Sequence, residues 1–269
     1  VYRFELPLEF PDAVVAEAKA VEEEIDPEEL EFREDWRDAD VVTIDPFDAK
    51  DFDDAICVKK LDGGGWELAV FIADVAHYVR PGSALDKEAR KRGNSVYLVD
   101  RVIPMLPEEL SNGICSLNPH VDRLTHAAIL EFDAKGNRIK ARFAKAVINS
   151  KHRFAYEDAF AILSDPDAED EHGLRRAWEL ASMLRDLRME KGSLDLDFPE
   201  IKVILDESGK PTELRQVKHD LSHQLIEEFM LAANEAVAEF VKNAEAGSIY
   251  RIHEDLSLIH ILRAHETPI

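Results

Sequence analysis

Between Thr43 and Ile56 the chain reads TIDPFDAKDFDDAI, and five of the ten residues from Asp45 to Asp54 are aspartate. The flanks, Val41–Ile44 and Ala55–Val58, are apolar apart from Thr43, so buried strands should anchor this loop at both ends. Carboxylates held a few ångströms apart in a poorly polarisable site repel strongly, and either protons or a cation must neutralise them. A hard divalent cation with oxygen ligands meets that need, and a two-metal site needs bridging carboxylates. Neighbouring residues of a regular strand point to opposite faces. Asp53 and Asp54 are therefore expected on a loop, after a strand that ends at Asp45. A calcium loop of the EF-hand type would need acids where Phe47 and Ala49, or Ala55, stand. A solvated acidic turn is the plain alternative, and the apolar flanks speak against it.

The remaining pattern predicts hairpins interleaved with helices. Ala55–Leu61 and Trp66–Val75 flank the turn Asp62-Gly63-Gly64-Gly65, Leu124–Asp133 pairs with Arg138–Ser150, and Ile201–Asp206 pairs with Thr212–Lys218. Helical spacing covers Asp12–Glu24, Ser83–Arg92 before Gly93, Tyr156–Leu163, Asp170–Lys191 and Leu221–Asn243; Arg101–Asn118 reads as loop. This is an α+β fold with a largely antiparallel sheet and packed helices. Residues 1–40 read as a lead-in segment and not as a domain of their own.

Charge narrows the function from the other side. Fifty-six acids against 33 bases give a net charge of −23, which speaks against a general nucleic-acid binder, although a local basic groove is compatible with it. Two cysteines in apolar segments, Cys57 and Cys115, fit reduced thiols in a cytoplasmic protein. No apolar run is long enough for a membrane span, and the first residues do not resemble a signal peptide. No obligate protein partner is evident.

The aspartate stretch resembles the signature of the RNB family, the catalytic domain of ribonuclease II and ribonuclease R. Three further blocks resemble it in order: FIADVAHYVRPGSALDKEARKRGNSVYLVDRVIPMLPEELSNGICSLNPHVDR from Phe71 to Arg123, HQLIEEFMLAANEAVAEF from His223 to Phe240, and IYRIHEDLS from Ile249 to Ser257. The likeness is greatest to the ribonuclease R branch. Residues 41–257 are thus expected to form a C-terminally truncated RNB catalytic domain. Residues 258–269 do not resemble the family and are expected to be a non-native tail.

The resemblance implies a processive 3′-to-5′ exoribonuclease that hydrolyses single-stranded RNA from its 3′ end to 5′-nucleoside monophosphates, using magnesium (Mg2+), with manganese (Mn2+) as the alternative. It implies that Asp45, Asp51 and Asp54 mainly hold metal, and that Asp53 holds or positions the second metal and the attacking water. Asp48 is expected to be structural. Tyr97 matches the aromatic that stacks on the terminal base. Arg101 and Arg123 are expected phosphate contacts, with Arg90 and Arg92 as weaker candidates; His77 and Asn118 are expected to form structural hydrogen bonds.

On the long helix, Leu221, Leu225, Phe229, Ala232, Ala236 and Phe240 form an apolar stripe, and His219, Asp220, His223, Glu227 and Asn234 fall on another face. The family places one acid of the Glu227–Glu228 pair near the terminal ribose, and periodicity selects Glu227. Zinc at His219, His223 and Glu227 lacks an accompanying ligand set. Full family members add OB-type and S1 domains and a further catalytic segment, so this chain alone is expected to be weakly active or inactive. The competing reading is a non-catalytic RNA-binding homologue.

Overall fold

Alternating strand pairs dominate the first two-thirds of the computed structural model, which describes residues 6–22, 24–193, 200–206, 208–217 and 219–252. In chain order, α1 (Asp12–Lys19) and α2 (Pro27–Leu30) precede β1 (Glu34–Trp36), β2 (Val42–Asp45), β3 (Asp54–Lys60) and β4 (Trp66–Ala73). Next come α3 (Val75–Tyr78), α4 (Ala84–Arg92), the short strands β5 (Val96–Tyr97) and β6 (Val102–Ile103), and a π-helical turn at Glu109–Ile114. The long hairpin β7 (Asp122–Phe132) and β8 (Arg138–Asn149) leads into β9 (His152–Ala155), α5 (Tyr156–Ser164) and α6 (Leu174–Glu190). The hairpin β10 (Glu200–Leu205) and β11 (Pro211–Val217) is followed by α7 (Leu221–Asn243).

Seven strands form one sheet in the order β1-β8-β7-β4-β3-β2-β9. Its inner pairs are antiparallel, while the edge pairs β1–β8 and β2–β9 are parallel. β5–β6 and β10–β11 are separate two-stranded sheets. The central β4 is buried on both faces, which its near-continuous apolar run WELAVFIA requires. Phe71 at its centre is fully buried, worth roughly 1.5–3 kcal/mol, beside Val41, Phe52, Leu117 and Ile148. α5 and α6 lie against β2, β3 and β9. A smaller core joins α1, α4 and the π-helical turn through Val14, Leu85, Leu110 and Ile114.

The chain divides into two compact units, Val1–Ala233 and Asn234–Ile269. In the second, the described residues are the end of α7 and an irregular stretch to Ile252. The Ile249–Ser257 block lies only partly within the described residues, and the 258–269 tail lies outside them. Among the described residues, no helix is long and apolar enough to cross a membrane.

Several boundaries differ from the sequence reading for identifiable reasons. The first helix stops at Lys19, before the acidic run at Glu22–Glu24, whose charge opposes the negative end of a helix; Asp26 then caps α2 by accepting the Glu28 N–H. α6 starts at Leu174 because the Asp170 carboxylate accepts the N–H groups of Leu174 and Arg175 ahead of it. The expected loop at Arg101–Asn118 contains β6 and the π-helical turn. Within the expected lead-in, β1 adds an edge strand to the sheet. The long helix spans Leu221–Asn243 as its apolar stripe requires.

Candidate active site

β2 ends on Asp45 and β3, its antiparallel neighbour, begins on Asp54, so the loop between them returns to the same end of the sheet. Asp54 is thus a strand residue and not a loop residue as expected; Asp53 precedes it, and the change of direction falls one residue earlier. The loop is held from several sides. Phe52 drops its ring into the sheet core. The buried Ser116 hydroxyl donates to the Lys50 carbonyl (2.7 Å) and accepts the Phe52 N–H (3.0 Å). The Leu117 N–H donates to the Phe52 carbonyl and the Ala73 N–H to the Asp53 carbonyl. From β9, the Arg153 guanidinium donates to the carbonyls of Pro46 (2.6 Å) and Phe47 (2.9 Å).

This scaffold turns Asp45, Asp51, Asp53 and Asp54 into one cleft of about 870 Å³. Burial, and then the neighbouring Asp54 charge, pushes the Asp45 carboxyl up to about 7. Burial and Asp53 raise Asp54 to about 6, and burial and Asp51 raise Asp53. Asp45 Oδ2 is buried and makes no hydrogen bond, although the Thr43 hydroxyl beside the carboxyl partly offsets the effect of burial. A buried carboxylate oxygen left without a partner is costly. Among the described residues, no three His, Cys, Asp or Glu side chains already close around one point as a metal cage. The donors are nonetheless all carboxylate oxygens, one of them orphaned, and their mutual repulsion is the kind a hard divalent cation relieves.

Tyr97 stands at the cleft with its ring exposed, and its hydroxyl donates to Asp51 Oδ2 at 2.9 Å. Arg101 lines the same cleft, its Nε 2.9 Å from Asp100 Oδ2. Glu227 lies on α7, partly exposed, 3.5 Å from His219 Nε2 and outside the lining of that cleft. Its neighbour Glu228 is buried against Arg188, as the apolar-stripe reading requires. Arg90 pairs with Asp86, and Arg92 with Glu88 and backbone carbonyls.

Arg123 is not brought to the aspartates. Its guanidinium donates to the carbonyls of Ser116 (2.8 Å), Asp122 (3.0 Å) and Gly113 (3.3 Å), and it borders a different cleft, with residues of α1 and α2. Gly113 lies in the π-helical turn and Ser116 just after it, so Arg123 fastens the segment carrying Ser116 to β7. His223 stacks on Tyr156 (ring centroids 3.9 Å apart) and bonds Asp220, with the His219 ring centroid 5.5 Å from its own.

Three contributors were missed in the sequence. Arg153 and Ser116 hold the loop from 107 and 66 residues away, and long-range partners of this kind leave no local periodicity. Tyr156 follows Ala155, the partner of Asp45 across β2–β9, and burial together with Asp45 and Asp54 raises its hydroxyl to about 12.

The chain thus carries a carboxylate-lined cleft at the junction of two strands of a mixed sheet. The RNB domain model matches residues 33–266, and the chain belongs to that family. Ribonuclease R of Thermotoga maritima is 48% identical over 255 residues, covering 93% of this chain and 36% of the relative. Ribonuclease R 1 of Lactococcus lactis is 43% identical over 252 residues, covering 91% of the chain and 31% of the relative. Among solved structures, Mycoplasma genitalium RNase R in complex with ribose-methylated single-stranded RNA superposes with a TM-score of 0.87 at 36% identity, covering 93% of this chain and 39% of that one. The chain therefore spans about a third of the length of the curated relatives it matches.

Proposed function

We propose that the chain is the aspartate-bearing part of a 3′-to-5′ exoribonuclease of the ribonuclease R type, which hydrolyses single-stranded RNA from its 3′ end to 5′-nucleoside monophosphates. The observation that carries this reading is that Asp45, Asp51, Asp53 and Asp54 line one cleft, in which Asp45 Oδ2 makes no hydrogen bond. We take Asp45, Asp51, Asp53 and Asp54 as ligands of one or two magnesium ions, or of manganese in their place, with Asp53 holding or positioning the second metal and the attacking water. Bound there, the metal would supply Lewis-acid stabilisation of the scissile phosphate and lower the pKa of water.

The chain's own residues do the remaining work in this reading. Tyr97, fixed by its bond to Asp51, offers a ring face to the terminal base without regard to its identity. Arg101 provides a guanidinium for a phosphate oxygen. Glu227 accepts from a terminal ribose hydroxyl. Arg153 and Ser116 keep the acids in register. We place residues 41–257 in the catalytic domain, with β1 extending it, and place the protein in the cytoplasm, where the unpaired Cys57 and Cys115 stay reduced.

The test is an extended polypeptide in which this chain replaces the homologous third of the Thermotoga maritima ribonuclease R, assayed on 5′-labelled single-stranded RNA. Stepwise shortening from the 3′ end that requires magnesium or manganese is expected. Asp53→Asn should bind the RNA and leave it intact. Equal degradation by the variant and its parent overturns the assignment.

A further inference from the structure

The cleft holds a second set of charges that the aspartate chemistry does not use. Of the described residues lining it, two are basic, Arg101 and Lys202. Arg101 is paired locally with the adjacent Asp100. Lys202 instead reaches across from another element: its Nζ lies 2.8 Å from Asp48 Oδ2 on the aspartate loop. Both side chains of this pair are more than half exposed. Lys202 belongs to β10, whose hairpin with β11 is a sheet of its own and leaves Ile201 and Leu214 largely exposed. Yet Ile201, Lys202 and Val203 all line the cleft. One wall of the cleft is therefore a thin ribbon tied to the aspartate loop by a solvent-exposed ion pair.

Such a pair contributes little in water, because both ions remain hydrated and long side chains lose freedom in making it. Exchanging one oxyanion for another at the Lys202 ammonium therefore costs little. An ammonium on a flexible stem is a point charge that makes no demand on the orientation of its partner, which suits a backbone phosphate. Asp48 also differs from the other four aspartates: its carboxylate pairs with an ammonium.

We infer that Lys202 is a substrate-positioning residue: Asp48 holds its ammonium at the cleft in the absence of RNA, and a phosphate of the incoming strand takes it over, drawing the β10–β11 hairpin onto the RNA. This rests on the exoribonuclease reading above and adds to it a residue and an exchange of counter-ions. The pair then has two roles. It keeps the cation aimed at the cleft, and it prevents that cation from settling among the acids reserved for metal.

The experiment is fluorescence anisotropy of a 5′-fluorescein oligoadenylate with the chain in magnesium buffer across a salt series, on an Asp53→Asn background so that the probe is not consumed. Lys202→Ala should weaken binding roughly three- to tenfold and reduce the salt slope by about 0.7. Lys210→Ala, at the far turn of the same hairpin, should stay within roughly twofold and controls for general charge. Asp48→Asn should tighten binding when Lys202 is present, and much less in the Lys202→Ala background, since the two act as one unit. Unchanged affinity and slope in Lys202→Ala, or weakening by Asp48→Asn, overturns this inference and leaves the functional reading standing. Absence of RNA binding by the background chain itself overturns this inference, while the functional reading is decided by the extended polypeptide.

Discussion

The Tyr97 hydroxyl donates a hydrogen bond to Asp51 at 2.9 Å, so the aromatic platform and the acidic centre are one connected unit. Burial, and then this bond, raises the phenol to about 12, and it stays protonated throughout the neutral range. The ring and the hydroxyl have separable roles. Tyr97→Phe should keep RNA affinity within about twofold, since the π face remains. Tyr97→Ala should lose about 1–3 kcal/mol of binding. Titration of a labelled oligonucleotide with each variant distinguishes the two, and equal losses would show that the hydroxyl and not the ring matters.

Raised carboxyl pKa values set the pH behaviour of the metal-free chain. Asp45 and Asp54 titrate near 7 and 6 when folded against about 3.9 when unfolded. The folded state thus binds more protons, and the stability they contribute is complete below about pH 4 and is lost as pH rises through 6 and 7. A divalent cation competes with those protons. The increase in Tm on adding magnesium should therefore be larger at pH 8 than at pH 5, as read by differential scanning fluorimetry. Asp45→Asn should remove most of the difference.

Glu227 and Glu228 are adjacent and should behave oppositely. The Glu228 side chain is 3% exposed and the Glu227 side chain 43%. Glu228 Oε2 accepts from Arg188 Nε at 3.1 Å. Glu228→Ala removes the buried carboxylate that pairs with the partly exposed Arg188 and should cost about 1–3 kcal/mol of stability, measured by urea unfolding. Glu227→Ala should leave unfolding within about 0.5 kcal/mol and weaken binding of RNA relative to an oligonucleotide lacking the terminal 2′-hydroxyl.

Arg33 and Asp74 make a second buried pair, 2.7 Å apart with side chains 0% and 3% exposed. Burial alone would raise the Asp74 carboxyl, but Arg33, with His126 beside it, holds it below the usual range. A depressed folded pKa contributes stability above the unfolded value near 4, and that contribution is lost as pH falls through the folded one. Tm should fall more steeply between pH 5 and pH 3 in the parent than in Asp74→Asn, which should already be about 3–5 kcal/mol less stable at pH 7.

Much of this was legible in the chain because local chemistry carried it. The turn Asp62-Gly63-Gly64-Gly65, the Gly93 stop with its positive φ and the apolar stripe of α7 each fix an element from residues close in sequence. The acidic loop declared itself by unpaired charge between apolar strands, and Glu228 by its place on the stripe. That Arg123 lies away from the aspartates, bonded to the carbonyls of Ser116, Asp122 and Gly113, was not legible, because no side-chain pattern records backbone acceptors. Lys202 was overlooked because Asp48, 154 residues away in sequence, meets it only after the hairpin has folded.

The floor of the cleft and its sides do not share a hydrogen-bond ladder. Asp45 and Asp54 are carried by the seven-stranded sheet, Tyr97 by β5 and Lys202 by β10, in two ribbons that pair only internally. The Tyr97–Asp51 and Lys202–Asp48 side-chain bonds tie these ribbons to the aspartate loop, so motion of a ribbon reaches the acids through side chains and not through the sheet.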